Sequence, residues 1–280
     1  MKVNNLTFIS CDTEYDESDI VIFGAPYDGT TSFRPGTRFA PHVIRIDSDG
    51  LETYSPYLDI DIEDKNITDI GDVEFPFGNV TKTLDAIYET SNKILNDNKK
   101  PVMIGGEHLV TLPQVSATVE KYPDLHIVHF DAHADLRDDY LGEPLSHATV
   151  MRRCFDLVGK DRIYQYGIRS GTKEEFNFAN DNTFMEKFEA TKIGNDIKKL
   201  EAKPIYLTID LDVLDPSVFS GTGTPEPGGL TFKELIEALK FLKGLNIVGC
   251  DVVELSPHYD ATGVSTAVAS KVIREILCLL

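Results

Sequence analysis

Ile127-Val128-His129-Phe130-Asp131-Ala132-His133-Ala134-Asp135 is an apolar run that passes without a break into metal-ligating side chains. Its first half is short, β-branched and aromatic, as a buried strand requires. In extended chain, residues two apart face one side, so Asp131, His133 and Asp135 would converge; on a helix they would diverge. Two carboxylates and an imidazole at one strand end suit Mn²⁺, Fe²⁺, Co²⁺ or Zn²⁺, because Mg²⁺ and Ca²⁺ prefer oxygen alone.

Working outward, similar runs recur at Ile20 to Phe23, Pro101 to Ile104, Arg162 to Tyr166, Ile205 to Ile209 and Ile247 to Val253. Between them lie helical patterns. Val80, Leu84, Ile87, Tyr88, Ser91, Ile94 and Leu95 fall on one stripe. Thr231 and Glu234 form a capping box ahead of Leu235, Ile236, Leu239 and Leu242, and a last helix runs from about Ser265 to the C-terminus. Strand and helix in alternation predict an α/β protein, a three-layer α/β/α sandwich on a mostly parallel sheet, with its site at the carboxyl ends of the strands. The irregular stretches Tyr27 to Pro41, Arg137 to Ser146 and Ser220 to Gly229 follow strands and are candidate walls of that site.

The site draws on two further strand ends. Asp210-Leu211-Asp212 closes the run from Ile205, and Gly105-Gly106-Glu107-His108 closes the run from Pro101, its glycines permitting close backbone approach. Together the clusters supply six ligands, more than one ion needs and suited to a pair bridged by shared carboxylates. Such a pair lowers the pKa of bound water and implies hydrolysis.

Composition is consistent with that chemistry. The 280 residues are 41% hydrophobic and 26% charged, ordinary globular usage, and no repeat or linker divides them, so residues 1–280 are expected to form a single domain. A net charge of −19 repels nucleic acid and anionic membranes and attracts cations. Cys11, Cys154, Cys250 and Cys278 show no metal or disulfide spacing and read as buried free thiols. With no membrane-spanning run and no signal-peptide hydrophobic region in Met-Lys-Val-Asn-Asn-Leu, the expected location is the cytoplasm.

In order and spacing, Gly105 to His108, Asp131 to Asp135 and Asp210-Leu211-Asp212-Val213-Leu214-Asp215-Pro216 resemble the three signatures of the arginase/agmatinase ureohydrolases. The resemblance extends to Gly24-Ala25-Pro26-Tyr27-Asp28, Arg34-Pro35-Gly36-Thr37-Arg38-Phe39-Ala40-Pro41 and the Gly221 to Gly229 loop. It implies two Mn²⁺ ions, one held by His108, Asp131, Asp135 and Asp210, the other by Asp131, His133, Asp210 and Asp212. It also implies that Glu254 holds a substrate guanidinium, that His147 shuttles protons with Asp135, that Thr224 lines the pocket, and that the chains form trimers or hexamers.

In the family the substrate tail is read by the loop after the first acidic cluster. Here Asp138, Asp139 and Glu143 disfavour a substrate carboxylate and favour agmatine, giving urea and putrescine, a polyamine precursor; Arg137 is the exception. The rivals are a hydrolase for guanidinobutyrate, arginine or a formimino acid anchored by Arg137, a deacetylase of related fold, and a non-catalytic scaffold. Outside the motifs, His126 and His129 read as packed strand residues, His42 as a helix start, and His258 takes no role.

Overall fold

The computed structural model describes residues 6–76 and 78–280. The opening Met1 to Asn5, read above as part of a start without a signal-peptide run, lies outside them. The strands are β1 (Ile20–Ala25), β2 (Tyr54–Ser55), β3 (Ile60–Asp61), β4 (Ile67–Asp72), β5 (Lys100–Gly105), β6 (His126–Phe130), β7 (Ile163–Ile168), β8 (Phe184–Lys187), β9 (Ile205–Asp210) and β10 (Ile247–Val253). The helices are α1 (Ala40–Ser48), α2 (Val80–Asn96), α3 (Thr111–Lys121), α4 (Val150–Val158), α5 (Lys173–Asn182), α6 (Ile193–Leu200), α7 (Phe232–Lys240) and α8 (Val264–Leu279).

Eight strands form one sheet in the order β4-β1-β5-β10-β9-β6-β7-β8, and β2 pairs with β3 in a small hairpin. Every pairing in the large sheet is parallel. Its six inner strands are therefore buried on both faces and read as apolar runs. Alternation sorts their side chains. Ile20 and Ile22 of β1 join the core under α1, α7 and α8, while Val21 and Phe23 pack with Ile87 and Ile94 of α2. On β9, Ile205, Leu207 and Ile209 enter the first core, whereas Tyr206 packs with Val115 of α3 and Met151 of α4. Thr208 and Asp210, two and four residues beyond Tyr206, face the same way.

The predicted runs are all strands and the predicted helices are all helices. The Thr231 box is complete: Thr231 Oγ1 accepts from the Glu234 amide while Glu234 accepts from the Thr231 amide. Four strands carry no such apolar run: the two-residue β2 and β3 of the hairpin, and two strands of the large sheet. β4, Ile67-Thr68-Asp69-Ile70-Gly71-Asp72, and β8, Phe184-Met185-Glu186-Lys187, are the sheet edges, half-exposed and punctuated by charge, so they lack a continuous apolar signal. All four cysteines are free and buried, as read.

Candidate metal centre and substrate cavity

The four central strands, β5, β10, β9 and β6, end side by side, and each delivers acid or imidazole to one place: His108 after β5, Glu254 after β10, Asp210 at the end of β9 and Asp131 after β6. One expectation about how they get there is corrected. Asp131, His133 and Asp135 do not share the face of an extended strand, because β6 stops at Phe130 and the chain curls through Asp135, whose φ is +53°. Asp210 and Asp212 likewise do not alternate on a strand. Asp210 caps a three-ten turn, its Oδ1 accepting from the Asp212 amide at 2.8 Å. Convergence is made by turns that fold back on their own carboxylates, as Asp131 Oδ1 does on the His133 amide at 2.5 Å.

The result is a compact donor set. His108 Nδ1 lies 3.1 Å from Asp131 Oδ2, 3.2 Å from Asp135 Oδ2 and 3.4 Å from Asp210 Oδ2. That nitrogen is buried and without a hydrogen-bond partner among the described residues. His133 Nδ1 lies 3.1 Å from Asp212 Oδ2 and 3.5 Å from Asp131 Oδ1. Asp131 thus turns one oxygen to each histidine. Burial, then Asp212 and Asp131, hold Asp210 well above the usual carboxylate range, and burial with Asp131 lifts Asp135 to about 7. So many buried acids call for positive charge in their midst, and an orphaned imidazole nitrogen facing three carboxylate oxygens fits a mixed N/O cation site. Ligand-capable atoms of Asp131, His133 and Asp212 also gather within 4.8 Å of one another, as do those of His108, His129 and Asp131.

His129 plays a different part from the other histidines. Its Nδ1 faces the Gln165 amide nitrogen at 3.2 Å and its Nε2 faces Asp131 Oδ2 at 2.8 Å. A lone pair at Nδ1 accepts from Gln165, and the hydrogen on Nε2 is donated to Asp131. Burial pushes this imidazole down, so it stays neutral and orients the carboxylate. His129 is packed, as expected, and it reaches Asp131 because the carboxylate stands one residue past the end of the same strand.

A cavity of about 290 Å³ opens over the cluster, lined among others by Ser32, His133, Asp135, Arg137, Tyr140, His147, Glu175 and Thr224. Ser146 caps the turn that His147 opens. His147 Nε2 accepts from the Ser32 amide at 3.2 Å, and the His147 amide donates to Thr30 Oγ1 at 3.0 Å. Thr30 in turn donates to Glu107 Oε1 at 2.5 Å, and Glu107 also accepts from the Thr30 amide and Thr31 Oγ1. The Tyr27 to Pro41 stretch is thereby a wall of the cavity. Thr30, Ser32 and Glu107 had no local signature of this role, since their partners lie 77 to 115 residues away. Burial, with His133 and His108 nearby, takes His147 down to about 4. Positive charge bound in the cluster would push it the same way.

Glu254 is not among the residues that line the cavity. It is buried, at φ +67°, and its Oε1 accepts from the His108 amide at 2.8 Å. Its Oε2 receives no hydrogen bond from the described residues, and a carbon added at Gly223 would stand 3.9 Å from it. Thr224 lines the cavity and donates to Asp212 Oδ2 at 3.1 Å.

The tail loop departs from expectation. Asp138 turns outward, 72% exposed, to accept from Arg153 at 2.6 Å, and Asp139 caps the Gly142 amide at 2.8 Å; neither lines the cavity. The reason is local: two arginines of α4 lie beside Asp138, and the tight turn at Leu141-Gly142 consumes Asp139. Arg137 does reach the cavity, with its Nε 3.3 Å from Glu175 Oε2 and its guanidinium 5.2 Å over the Tyr140 ring. Glu175 is therefore the acid that faces this wall, held by the Leu136 amide at 3.0 Å and the Thr172 amide at 2.7 Å. His258, without a role above, stacks on Phe39 at 4.7 Å.

Comparison with known proteins gives a consistent result. The model of the arginase family matches residues 18–279. The chain is 48% identical to an agmatinase of Bacillus subtilis over 96% of its own length and 94% of that protein's. It is 35% identical to a guanidinobutyrase of Pseudomonas aeruginosa, covering 98% of this chain and 90% of that one. A solved structure from Clostridium difficile superposes with a TM-score of 0.93 at 54% identity, covering 95% of this chain and 98% of that one.

Proposed function

From the premise that the chain belongs to the arginase family, as an agmatinase-like ureohydrolase, we propose that it hydrolyses agmatine to urea and putrescine at two Mn²⁺ ions. The reading rests above all on the orphaned His108 Nδ1 with its three carboxylate neighbours, set beside Glu254, whose Oε1 accepts from the His108 amide and leaves Oε2 for a ligand. One ion would be held by His108, Asp131, Asp135 and Asp210, the other by Asp131, His133, Asp210 and Asp212. Bound there, the pair supplies water activated to attack the guanidinium carbon.

The chain's own residues do the rest. Glu254 binds the guanidinium by charged hydrogen bonds through the oxygen that no protein group occupies. His147, neutral and lining the cavity, accepts a proton released by the attacking water and with Asp135 passes it to the alkyl-bearing nitrogen, so that the carbon–nitrogen bond to the tail breaks as the urea carbonyl forms; the amine takes up the second water proton and putrescine leaves as an ammonium. Thr224 keeps Asp212 in place. Ser32 and the Tyr140 wall limit access of bulk water.

Substrate choice is supported by Glu175. Its carboxylate pairs with Arg137 and leaves little net positive charge to anchor a substrate carboxylate, so a cationic tail is preferred to an anionic one. The second reading, a 4-guanidinobutyrate hydrolase, is favoured by Arg137 itself, which lines the cavity and is 37% exposed. We extend the proposal to a single catalytic domain, a trimer or hexamer in the cytoplasm, and a role in polyamine synthesis. Among the described residues no helix is long and apolar enough to cross a membrane.

The test is to strip the protein with chelator, restore it with Mn²⁺, Co²⁺, Zn²⁺ or Mg²⁺, and quantify urea and putrescine from agmatine. Equal amounts of both, greatest with Mn²⁺, are expected. Turnover that survives full chelation would contradict the metal site.

A further inference from the structure

The second nitrogen of His108 is as constrained as the first. Nε2 lies 3.0 Å from Thr208 Oγ1, and Thr208 Oγ1 donates to Asp251 Oδ1 at 2.6 Å. The Tyr206 hydroxyl donates to the other Asp251 oxygen. All four side chains are buried, so no water competes for these bonds.

The arrangement follows from strand register. Tyr206 and Thr208 are two apart on β9 and share a face. Asp251 is the direct partner of Thr208 on β10, and β10 lies between β9 and the strand that His108 follows. The chain therefore runs across the sheet from Tyr206 to the metal centre.

Its direction has a chemical consequence. A threonine hydroxyl has one hydrogen to give. Because Thr208 gives it to Asp251, only lone pairs face His108, and His108 Nε2 must carry the hydrogen. Nδ1 is then left with its lone pair, and Nδ1 is the atom aimed at Asp131, Asp135 and Asp210. Asp251 sets this order, since a carboxylate accepts from both hydroxyls and donates to neither. An amide in its place could donate to Thr208, reverse the chain and put the hydrogen on Nδ1, where it opposes a cation.

We propose that Tyr206, Asp251 and Thr208 are positioning residues that fix the tautomer and ring orientation of His108, and with them the affinity of the cation that His108 holds. The proposal rests on the reading that His108 is a metal ligand. Outer partners of this kind contribute about 10- to 100-fold to metal affinity.

The test is a Mn²⁺ titration of chelator-stripped wild-type, Thr208→Val, Thr208→Ser and Asp251→Asn chains, reading bound metal by equilibrium dialysis, with the metal-free folds compared by circular dichroism. Wild type and Thr208→Ser should bind two ions alike. Thr208→Val and Asp251→Asn should bind one ion as wild type does and the other about 10- to 100-fold more weakly. If Thr208→Val does not fold, Asp251→Asn, which keeps a partner for both hydroxyls, carries the same test. Wild-type affinity at both sites in these two variants overturns the relay while leaving the metal centre intact, and so does Thr208→Ser binding as weakly as Thr208→Val. Wild-type protein that binds no Mn²⁺ overturns both.

Discussion

In the proposed reaction His147 takes a proton, and its environment sets its protonation. At about 4 its imidazole is neutral throughout the physiological range, ready to take a proton. The pH profile of kcat/KM should therefore show no step near 6.5 that belongs to His147; a step there that disappears in His147→Asn would contradict the assignment. The same displacement is linked to stability. An unfolded chain protonates this histidine near 6.5 and the folded chain only near 4, so the unfolded state binds more protons between those values. The contribution of His147 to the stability of the metal-free protein should fall as pH drops from about 6.5 toward 4 and be constant above that range, so wild type should lose stability relative to His147→Gln across that window, while Asp135, lifted to about 7, contributes the opposite slope in both proteins. His147→Asn should also lower kcat about 100-fold or more. Glu254→Gln should keep both metal ions and lose about 100-fold in kcat/KM, the worth of a charged hydrogen bond to the guanidinium. Metal analysis beside kinetics separates that outcome from a disrupted centre.

Elements carry these residues, and they differ in how far the sequence reveals them. The buried strands were legible because parallel strands covered on both faces leave unbroken apolar runs, as at Ile205 to Ile209. The cluster of acids and imidazole was legible because Asp131, His133, Asp135, Asp210 and Asp212 stand just at or after strand ends in short spacing. The local geometry was not. A two-residue spacing suits a strand and a turn alike, and only the folded chain shows Asp135 and Glu254 in left-handed backbone, a costly conformation for non-glycine residues held by the packing around them. Contacts across the sheet were equally hidden: Glu107 reaches Thr30 and Glu175 reaches Arg137 through tertiary placement alone. One glycine shows how tightly the elements meet. A carbon added at Gly106 would stand 1.9 Å from the Tyr27 carbonyl oxygen, so the wall that carries Thr30 and Ser32 would have to move. Gly106→Ala should cost about 1–3 kcal/mol or more in urea unfolding and displace His147's partners. An unchanged unfolding midpoint would refute this packing.

At the scale of the whole molecule, a net charge of −19 surrounds a cavity floored with acids, a field that draws in divalent cations and cationic substrates. Raising ionic strength from about 0.02 M to about 0.5 M should lower kcat/KM for agmatine several-fold, with kcat nearly constant, as screening shortens the reach of that field. A salt-independent kcat/KM would show that steering contributes nothing. The eight-stranded sheet binds both halves of the chain into the site, since β5 and β6 flank β10 and β9. The most direct test of the proposed function is kcat/KM for urea release by the Mn²⁺-loaded protein from agmatine, 4-guanidinobutyrate and arginine measured side by side. The account predicts agmatine ahead by at least about 100-fold, the equivalent of one buried charge mismatch. Preference for 4-guanidinobutyrate would contradict the pairing of Glu175 with Arg137 as the determinant of the tail, and no urea from any of the three would contradict the function itself.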